Sequence, residues 1–331
     1  MRQDALEFLK NLKPEDNVKV FSHVDADGIC SLALLIRFMR AREVVPPDKL
    51  PVYQLTDVPP LFIDPAKNMI FMDLNSDTIF DYLTETTLLV DHHIFEKKPT
   101  CVFYNPRETE PEAYLPAAYL MYDLCSELEF MENSKWIAAV GIIGDKGELN
   151  SQVCRDFLKS FDDHEKLQRV ADFIYSVFLV DGNVGNEKMV EALLSARSPE
   201  DILDNPYFRY CYDEVQGEVS GSVKKMEKDG IFRFIETKSK YNIKSIVAAQ
   251  ALDREKGIIV IAYSYNDEHA KMSLRTDTIV NLGKITKLAA EKVGGSGGGH
   301  EKAAGARVPR SRFSAFKEEL ILGVENETQS S

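Results

Sequence analysis

The stretch Leu88-Leu-Val-Asp-His-His93 decides how we interpret the chain, because an apolar run ends there on one carboxylate and two imidazoles. A strand without charge before its last residue is typical of a parallel sheet that is buried on both faces. Ligands of open α/β sheets lie beyond the carboxyl ends of the strands, so we expect Asp91, His92 and His93 to face a site. Taken alone, the stretch is also compatible with a capped strand end and two surface histidines.

A second polar group follows the first predicted strand, residues 17–22. His23, Asp25 and Asp27 lie on alternate residues, and an extended backbone projects such residues to one side. Gly28 then allows a sharp turn into a helix whose amino terminus favours anionic ligands. Capping of that helix by Asp27 or Ser22 needs only one residue. Three ligand-type side chains at this spacing therefore favour a metal site.

Two further apolar elements end on carboxylates: a strand predicted from residue 68 ends on Asp73, and a helix predicted from Ser134 ends on Asp145. Oxygen and imidazole ligands without a thiolate favour Mn²⁺ or Mg²⁺, with Co²⁺ or Zn²⁺ as replacements. The carboxylates outnumber the needs of one cation. Two cations about 3.5–4 Å apart would use them, activating water and stabilising both oxygens of a phosphoryl displacement.

The glycine-rich run 294–300 is a second candidate site. Without side chains, backbone N–H groups can approach a phosphate or sugar closely, and His300 and Arg275 are candidate donors beside them. A flexible linker has the same composition. The position of the run, between an apolar helix and Ala303-Ala-Gly305, favours the binding site.

Composition limits the class of protein. With 331 residues, 44% hydrophobic and 28% charged, the chain is long enough for two domains with hydrophobic cores. A net charge of −13 argues against a protein that coats duplex DNA by bulk electrostatics. No apolar run approaches the roughly 18 residues of a membrane span, and we see no signal peptide. Five scattered cysteines without a CxxC pair predict reduced thiols and a cytoplasmic protein.

Some predictions concern local structure. In the C-terminal half, we predict strands over residues 243–249, 257–265 and 270–275. In the N-terminal half, we place an edge strand at 50–55 and a connector at 61–63. Asp77 is interpreted as a helix N-cap rather than a ligand. For Lys146, two roles stay open: contact with a phosphate, or a solvated side chain.

The motifs together resemble those of DHH-family phosphoesterases with a C-terminal DHH-associated domain. The matching stretches, in the family's order, are His23–Gly28, Asp73, Asp91–His93, Gly144-Asp145, Ser273–Arg275 and Gly297–Gly305. The resemblance implies an α/β fold: an N-terminal, mostly parallel sheet flanked by helices, then a smaller C-terminal α/β domain, with the active site in the cleft between them. We place the DHH domain at 1–185, a helical linker at 186–215, the associated domain at 216–325 and a disordered tail at 326–331.

The resemblance also implies residue roles. The metal ligands would be His23 and Asp25 on the first ion, Asp27 and His92 on the second, and Asp73 and Asp145 in contact with or bridging both. His93 would face the scissile phosphate as a hydrogen-bond donor or acid, and Asp91 would orient the histidines. The nucleotide would be held by Gly298, Gly299 and His300, with Arg275 on a phosphate.

The implied function is a two-metal, Mn²⁺-dependent exonuclease that releases mononucleotides from single-stranded DNA or RNA in repair or replication. The His-x-Asp-x-Asp-Gly spelling resembles archaeal RecJ-like and helicase-associated nucleases, and the latter group favours 3′→5′ digestion. Two alternatives stay open: an NrnA-type nano-RNase or pAp phosphatase for short oligonucleotides, and a non-catalytic replication scaffold, which would be expected to lack ligands. A DNA helicase or replication protein, or a second copy of the chain, is left open as a partner; no membrane partner is expected.

Overall fold

The computed structural model describes residues 1–56 and 68–330, so the predicted connector at 61–63 lies outside the described residues. These residues form two compact units, which meet in sequence between residues 212 and 213. None of the described helices is both long enough and apolar enough to cross a lipid bilayer. Each unit is built around its own sheet.

The first unit contains a parallel sheet of five described strands in the order β2-β1-β3-β4-β5, which confirms the predicted parallel sheet. The strands are β1 Lys19–Ser22, β2 Val52–Leu55, β3 Met69–Met72, β4 Thr87–Val90 and β5 Val102–Tyr104. All residues of the central strands β3 and β4 are buried. Their continuous apolar sequence follows from this, because helices or loops cover both faces of the sheet.

Helices surround this sheet on both sides. Their bounds are α1 Arg2–Lys10, α2 Ala26–Ala41, α3 Ser76–Ile79, α4 Ala117–Leu128, α5 Lys135–Gly144, α6 Gly147–Asn150, α7 Gln152–Leu158, α8 His164–Ser195, α9 Pro199–Leu203 and α10 Pro206–Val223. Ile70 and Leu88 pack into the core formed with α2, α4 and α5, whereas Phe71 and Leu89 pack on the opposite face near α3. This alternation is the period of two that a strand imposes.

The second unit contains a mixed sheet of six described strands in the order β10-β11-β9-β8-β7-β6. The strands are β6 Glu227–Asp229, β7 Phe232–Glu236, β8 Ile259–Tyr265, β9 His269–Thr276, β10 Ser296–Gly299 and β11 Ala303–Pro309, and the helices are α11 Lys244–Arg254, α12 Leu282–Lys292 and α13 Phe313–Ser330. Only β7 and β8 pair in parallel. The smaller C-terminal α/β domain is therefore confirmed as a fold class.

The predicted strand at 243–249 is wrong, because these residues begin helix α11. Val247, Ala248 and Ala251 are its buried residues, and their spacing of three and four places them on one helical face. The alanine-rich sequence also has a high helix propensity. The run of small apolar residues therefore belongs to an amphipathic helix instead of a strand.

The domain limits remain predictions. The predicted linker, 186–215, is occupied by the end of α8, by α9 and by the start of α10. At the C-terminus, α13 continues to Ser330, so the residues expected to form a disordered tail are helical up to that point.

Candidate metal centre

The turn after β1 places the first motif differently from the sequence prediction. Helix α2 begins at Ala26, and its N-cap is Asp25, which accepts a hydrogen bond from the N–H of Gly28 at 3.1 Å. Neither Asp27 nor Ser22 caps the helix. Asp27 lies in the first helical turn, so the extended backbone that we expected ends at Asp25. A short helical turn nevertheless keeps both carboxylates at the end of β1.

Asp27 is fully buried and faces the amino terminus of α4. Its two carboxylate oxygens accept the N–H groups of Ala117 and Ala118, at 2.7 and 2.8 Å. Burial, reinforced by the charges of Asp73 and Asp145, nevertheless raises the pKa of Asp27 well above its usual range. A bound cation would restore the ionised form, so this carboxylate is suited to a metal.

Asp73 follows β3 with a φ of 58°, in the left-handed region that Asp and Asn tolerate better than most residues. Its Oδ1 lies 3.2 Å from Nε2 of His92, and its Oδ2 lies 3.5 Å from Nδ1 of His23. Burial and the charge of Asp25 raise the pKa of Asp73. The unusual backbone thus directs one carboxylate between two imidazoles that come from different strands.

The Asp-His-His motif is organised by its first residue. Asp91 is fully buried, and its Oδ1 accepts the backbone N–H groups of His92 and His93, at 2.6 and 3.0 Å. The same oxygen lies 2.6 Å from Nδ1 of His93. Burial opposes ionisation of Asp91, but the hydrogen bond and charge of His93 hold its pKa below the usual value. Burial likewise opposes protonation of His93, yet Asp91 raises the pKa of that imidazole to about 9.

The structure brings all eight predicted polar residues into three overlapping groups, within each of which the ligand atoms lie within 4.8 Å of one another. The groups are His23–Asp25–Asp73, Asp27–His92–Asp145 and Asp73–Asp91–His92–His93. Nε2 of His92 lies 3.7 Å from Oδ2 of Asp145 and 3.9 Å from Oδ2 of Asp27. The roles of the predicted metal ligands remain predictions.

Three observations show that this donor set fits divalent cations. Among the described residues, buried Oδ2 of Asp73 and Nδ1 of His92 have no hydrogen-bond partner. Burial raises the pKa of Asp145 to about 6, although His92 and the Tyr114 hydroxyl oppose the rise. Burial also opposes protonation of His23, but the neighbouring carboxylates of Asp25 and Asp73 raise its pKa to about 10. Carboxylates and imidazoles at these distances share protons when no cation separates them.

Several residues of the centre were not predicted. Tyr114 donates from its hydroxyl to Oδ2 of Asp145 at 2.6 Å, and its ring meets the His92 ring edge-on, with centroids 4.9 Å apart. Asn186, fully buried on α8, donates from Nδ2 to the carbonyl of Val24 at 3.0 Å. Because both residues are distant in sequence from every motif, only the tertiary structure reveals them.

Two more of these residues follow β5. Asn105 donates from Nδ2 to the carbonyl of His93 at 2.7 Å, and Arg107 donates from Nη1 to that of His92 at 3.3 Å. Their position directly after a strand was the available sequence signal, since His23, Asp73 and Asp91 also follow strands.

Asp77 is not an N-cap. Asn75 caps α3 by accepting the N–H of Asp77 at 3.0 Å. The carboxylate of Asp77 instead accepts the N–H groups of Glu96 and Lys97, at 2.8 and 3.0 Å. It therefore fixes the loop that follows the Asp-His-His motif.

The glycine-rich run in the second unit is an ordered element. Gly298 and Gly299 have φ values of 154° and 141°, which favour glycine. A Cβ at Gly299 would lie 2.4 Å from the carbonyl oxygen of Ala303. His300 is exposed. Arg275 on β9 donates from Nη2 to Oγ of Ser245 at 2.8 Å. The roles of Gly298, Gly299, His300 and Arg275 in nucleotide binding remain predictions.

Comparisons with known proteins agree with this geometry. Residues 17–144 match the DHH family, N-terminal domain, and residues 227–325 match the DHHA1 domain. Comparison with curated proteins finds no significant match.

Solved structures similar to this chain share its fold. RecJ from Thermus thermophilus in complex with Mn²⁺ has a TM-score of 0.68 and 17% identity, and the match covers 98% of this chain but 54% of RecJ, so the chain spans about half of that protein. The same RecJ has also been crystallised with Mg²⁺. A pGpG-specific phosphodiesterase from Vibrio cholerae has a TM-score of 0.58 and 14% identity, covering 93% of this chain and 99% of that one. CDC45 from Entamoeba histolytica has a TM-score of 0.56 and 10% identity, covering 96% and 98%.

Proposed function

Because the chain belongs to the DHH family and carries a DHHA1 domain, we propose that it is a phosphodiesterase that uses two divalent cations. The observation that carries the proposal is the convergence of two adjoining ligand groups, His23–Asp25–Asp73 and Asp27–His92–Asp145. Asp73 belongs to the first group and also contacts His92 of the second, as a bridging carboxylate would. The two groups together match the ligand needs of a two-metal site.

In this proposal, His23 and Asp25 would hold one cation, Asp27 and His92 would hold the other, and Asp73 and Asp145 would contact or bridge the two. When bound, Mn²⁺ or Mg²⁺ would supply an activated water and neutralise charge on the phosphate. Asp91 fixes the tautomer and orientation of His93 through Nδ1. Nε2 of His93 is then left to donate to the phosphate, and 42% of this side chain is exposed.

We propose single-stranded DNA or RNA as the substrate, with exonucleolytic release of mononucleotides in the 3′→5′ direction and a role in repair or replication in the cytoplasm. Support comes from the fold shared with RecJ and from the His-x-Asp-x-Asp-Gly spelling of the first motif. The nucleotide would be bound by Gly298, Gly299, His300 and Arg275. A helicase or replication protein is the proposed class of protein partner.

A second candidate is a phosphodiesterase for short oligonucleotides. It is favoured by the pGpG-specific enzyme, of whose length the match covers 99%, against 54% for the Thermus RecJ. A non-catalytic scaffold is suggested by the fold shared with CDC45. The retained set of ligand-type side chains argues against the scaffold, because a protein without catalysis has no need to keep buried carboxylates together.

A time course on a 5′-labelled single strand of about 20 nucleotides separates these functions. It is run with Mn²⁺, Mg²⁺ or EDTA, and with the variant Asp73→Asn. A descending ladder that EDTA and the variant abolish supports 3′→5′ digestion, whereas immediate release of labelled mononucleotide means 5′→3′ digestion. Cleavage of dinucleotides or pAp alone moves the protein to the second candidate. If no phosphodiester is hydrolysed, the enzyme proposal fails.

A further inference from the structure

Arg107 lies beside the metal centre, and no motif gives it a role. It follows β5 in a short 3₁₀ turn, 106–108, that Asn105 caps by accepting the N–H of Arg107 at 3.0 Å. Asn105 also donates from Nδ2 to the carbonyl of His93 at 2.7 Å. The main chain of Arg107 is therefore tied directly to the Asp-His-His motif.

The guanidinium group of Arg107 is held by neutral partners. Nε donates to the carbonyl of Pro111 at 3.0 Å, and Nη1 donates to the carbonyl of His92 at 3.3 Å. Its central carbon lies 5.6 Å from the ring centroid of Tyr114, whose hydroxyl donates to Asp145. Among residues 1–56 and 68–330, no carboxylate forms an ion pair with Arg107, and its Nη2 has no acceptor. Within the described residues, Arg107 is therefore a held cation beside the site, without a paired carboxylate and with Nη2 available as a donor.

The charge balance of the site indicates a role for the guanidinium group of Arg107. The four carboxylates of the two ligand groups equal the charge of two divalent cations, and Asp91 balances His93. A phosphodiester brings one more negative charge, and charge builds up further in the transition state of phosphoryl transfer. A guanidinium presents planar donors that match non-bridging phosphate oxygens. Arg107 supplies such a group beside His92.

We infer that Arg107 binds the substrate phosphate, donating from Nη2 to a non-bridging oxygen while Nη1 stays on His92. The inference rests on the proposed function and names a substrate-binding residue of that site. The competing explanation is that Arg107 only supports the main chain of His92. In that case its loss would weaken metal binding first.

The test compares Arg107→Gln and Arg107→Lys with the control Arg209→Gln. Arg209 also donates to a backbone carbonyl, that of Leu203 at 2.7 Å, but it belongs to none of the ligand groups. We expect Arg107→Gln to lower kcat/KM on a single-stranded oligonucleotide roughly 10- to 100-fold, with partial recovery in the lysine variant. Binding of AMP to the Mn²⁺-loaded protein, measured by calorimetry, should weaken to a similar degree. The Mn²⁺ content should stay at the wild-type level.

Two results would overturn the inference: Arg107→Gln behaving like Arg209→Gln in both measurements, or a loss of Mn²⁺ that accounts for the loss of activity. Failure of the proposed function looks different, because the wild-type chain would then hydrolyse no phosphodiester. The AMP measurement still decides the role of Arg107 in that event. Absence of both hydrolysis and AMP binding in the wild type would overturn both.

Discussion

The candidate metal centre of the first unit depends on its side chains, whereas the glycine-rich run of the second unit depends on its backbone. At the candidate metal centre, polar side chains converge, and burial and mutual repulsion raise the pKa values of Asp27, Asp73 and Asp145. At the glycine-rich run, the backbone of Gly298 and Gly299 adopts conformations that only glycine adopts readily. A change of charge should therefore disable the first region, and an added methyl group should disable the second.

The largest effect is expected at Asp73. Asp73→Asn should lower the hydrolytic rate by about 10³-fold, because it removes a charge shared by both ligand groups. Since Asn tolerates the φ of 58° at this position, the variant should stay folded. Asp73→Ala should lose the same activity and also about 1 kcal/mol of unfolding free energy. Activity assays with thermal unfolding check both expectations, and an active Asp73→Asn protein would contradict the bridging role.

Metal binding should release protons. The neighbouring carboxylates of Asp25 and Asp73 raise the pKa of His23 to about 10 against the effect of burial, so this imidazole is protonated at neutral pH and must lose a proton to bind a cation; the pKa of His92 is raised as well. Apparent Mn²⁺ affinity should therefore increase with pH. Below about pH 6 the affinity should be weakened further, because Asp145 becomes protonated. Calorimetry in two buffers of different ionisation enthalpy measures the release. Mn²⁺ binding without proton release would show that His23 is not a ligand.

A methyl group should break the second region without touching the first. Gly299→Ala should lower the unfolding free energy of the chain by roughly 1–3 kcal/mol, because its Cβ would lie 2.4 Å from a backbone oxygen at a φ of 141°. Gly305→Ala is the matched control, since the nearest atom to its Cβ is 3.6 Å away. Denaturant unfolding compares the two, and Mn²⁺ content should be unchanged in both. Equal stability would show that the run is not constrained as described.

The smallest effect is expected at Arg275. Arg275→Gln should weaken AMP binding by roughly three- to tenfold, because it removes one charged donor from the predicted nucleotide site. The Mn²⁺ content should not change, since Arg275 belongs to none of the ligand groups. Calorimetry with AMP measures the change. A loss of bound Mn²⁺ in this variant would show that Arg275 contributes to metal binding, so the two regions would not have separate roles.

The sequence predicted the part of the site that depends on position along strands. Apolar runs that end on Asp73 and Asp91 were sufficient to predict a parallel sheet, because parallel strands bring their carboxyl ends to one edge. The left-handed backbone of Asp73 and the capping role of Asp25 were not predictable, since both depend on where a turn becomes a helix. Tyr114 and Asn186 reach the site through tertiary packing, which leaves no local sequence signal. Helix α11 was misassigned because short apolar runs do not distinguish a strand from a buried helix.

Stepwise metal reconstitution tests the two-metal phosphodiesterase most directly. The protein is stripped with EDTA, Mn²⁺ is added back in known equivalents, and hydrolysis of a labelled single strand is measured at each step. Activity should be low at one equivalent per chain and should reach its maximum at two, and Asp73→Asn should stay inactive throughout. Full activity at one equivalent, or no activity at any, would contradict the account.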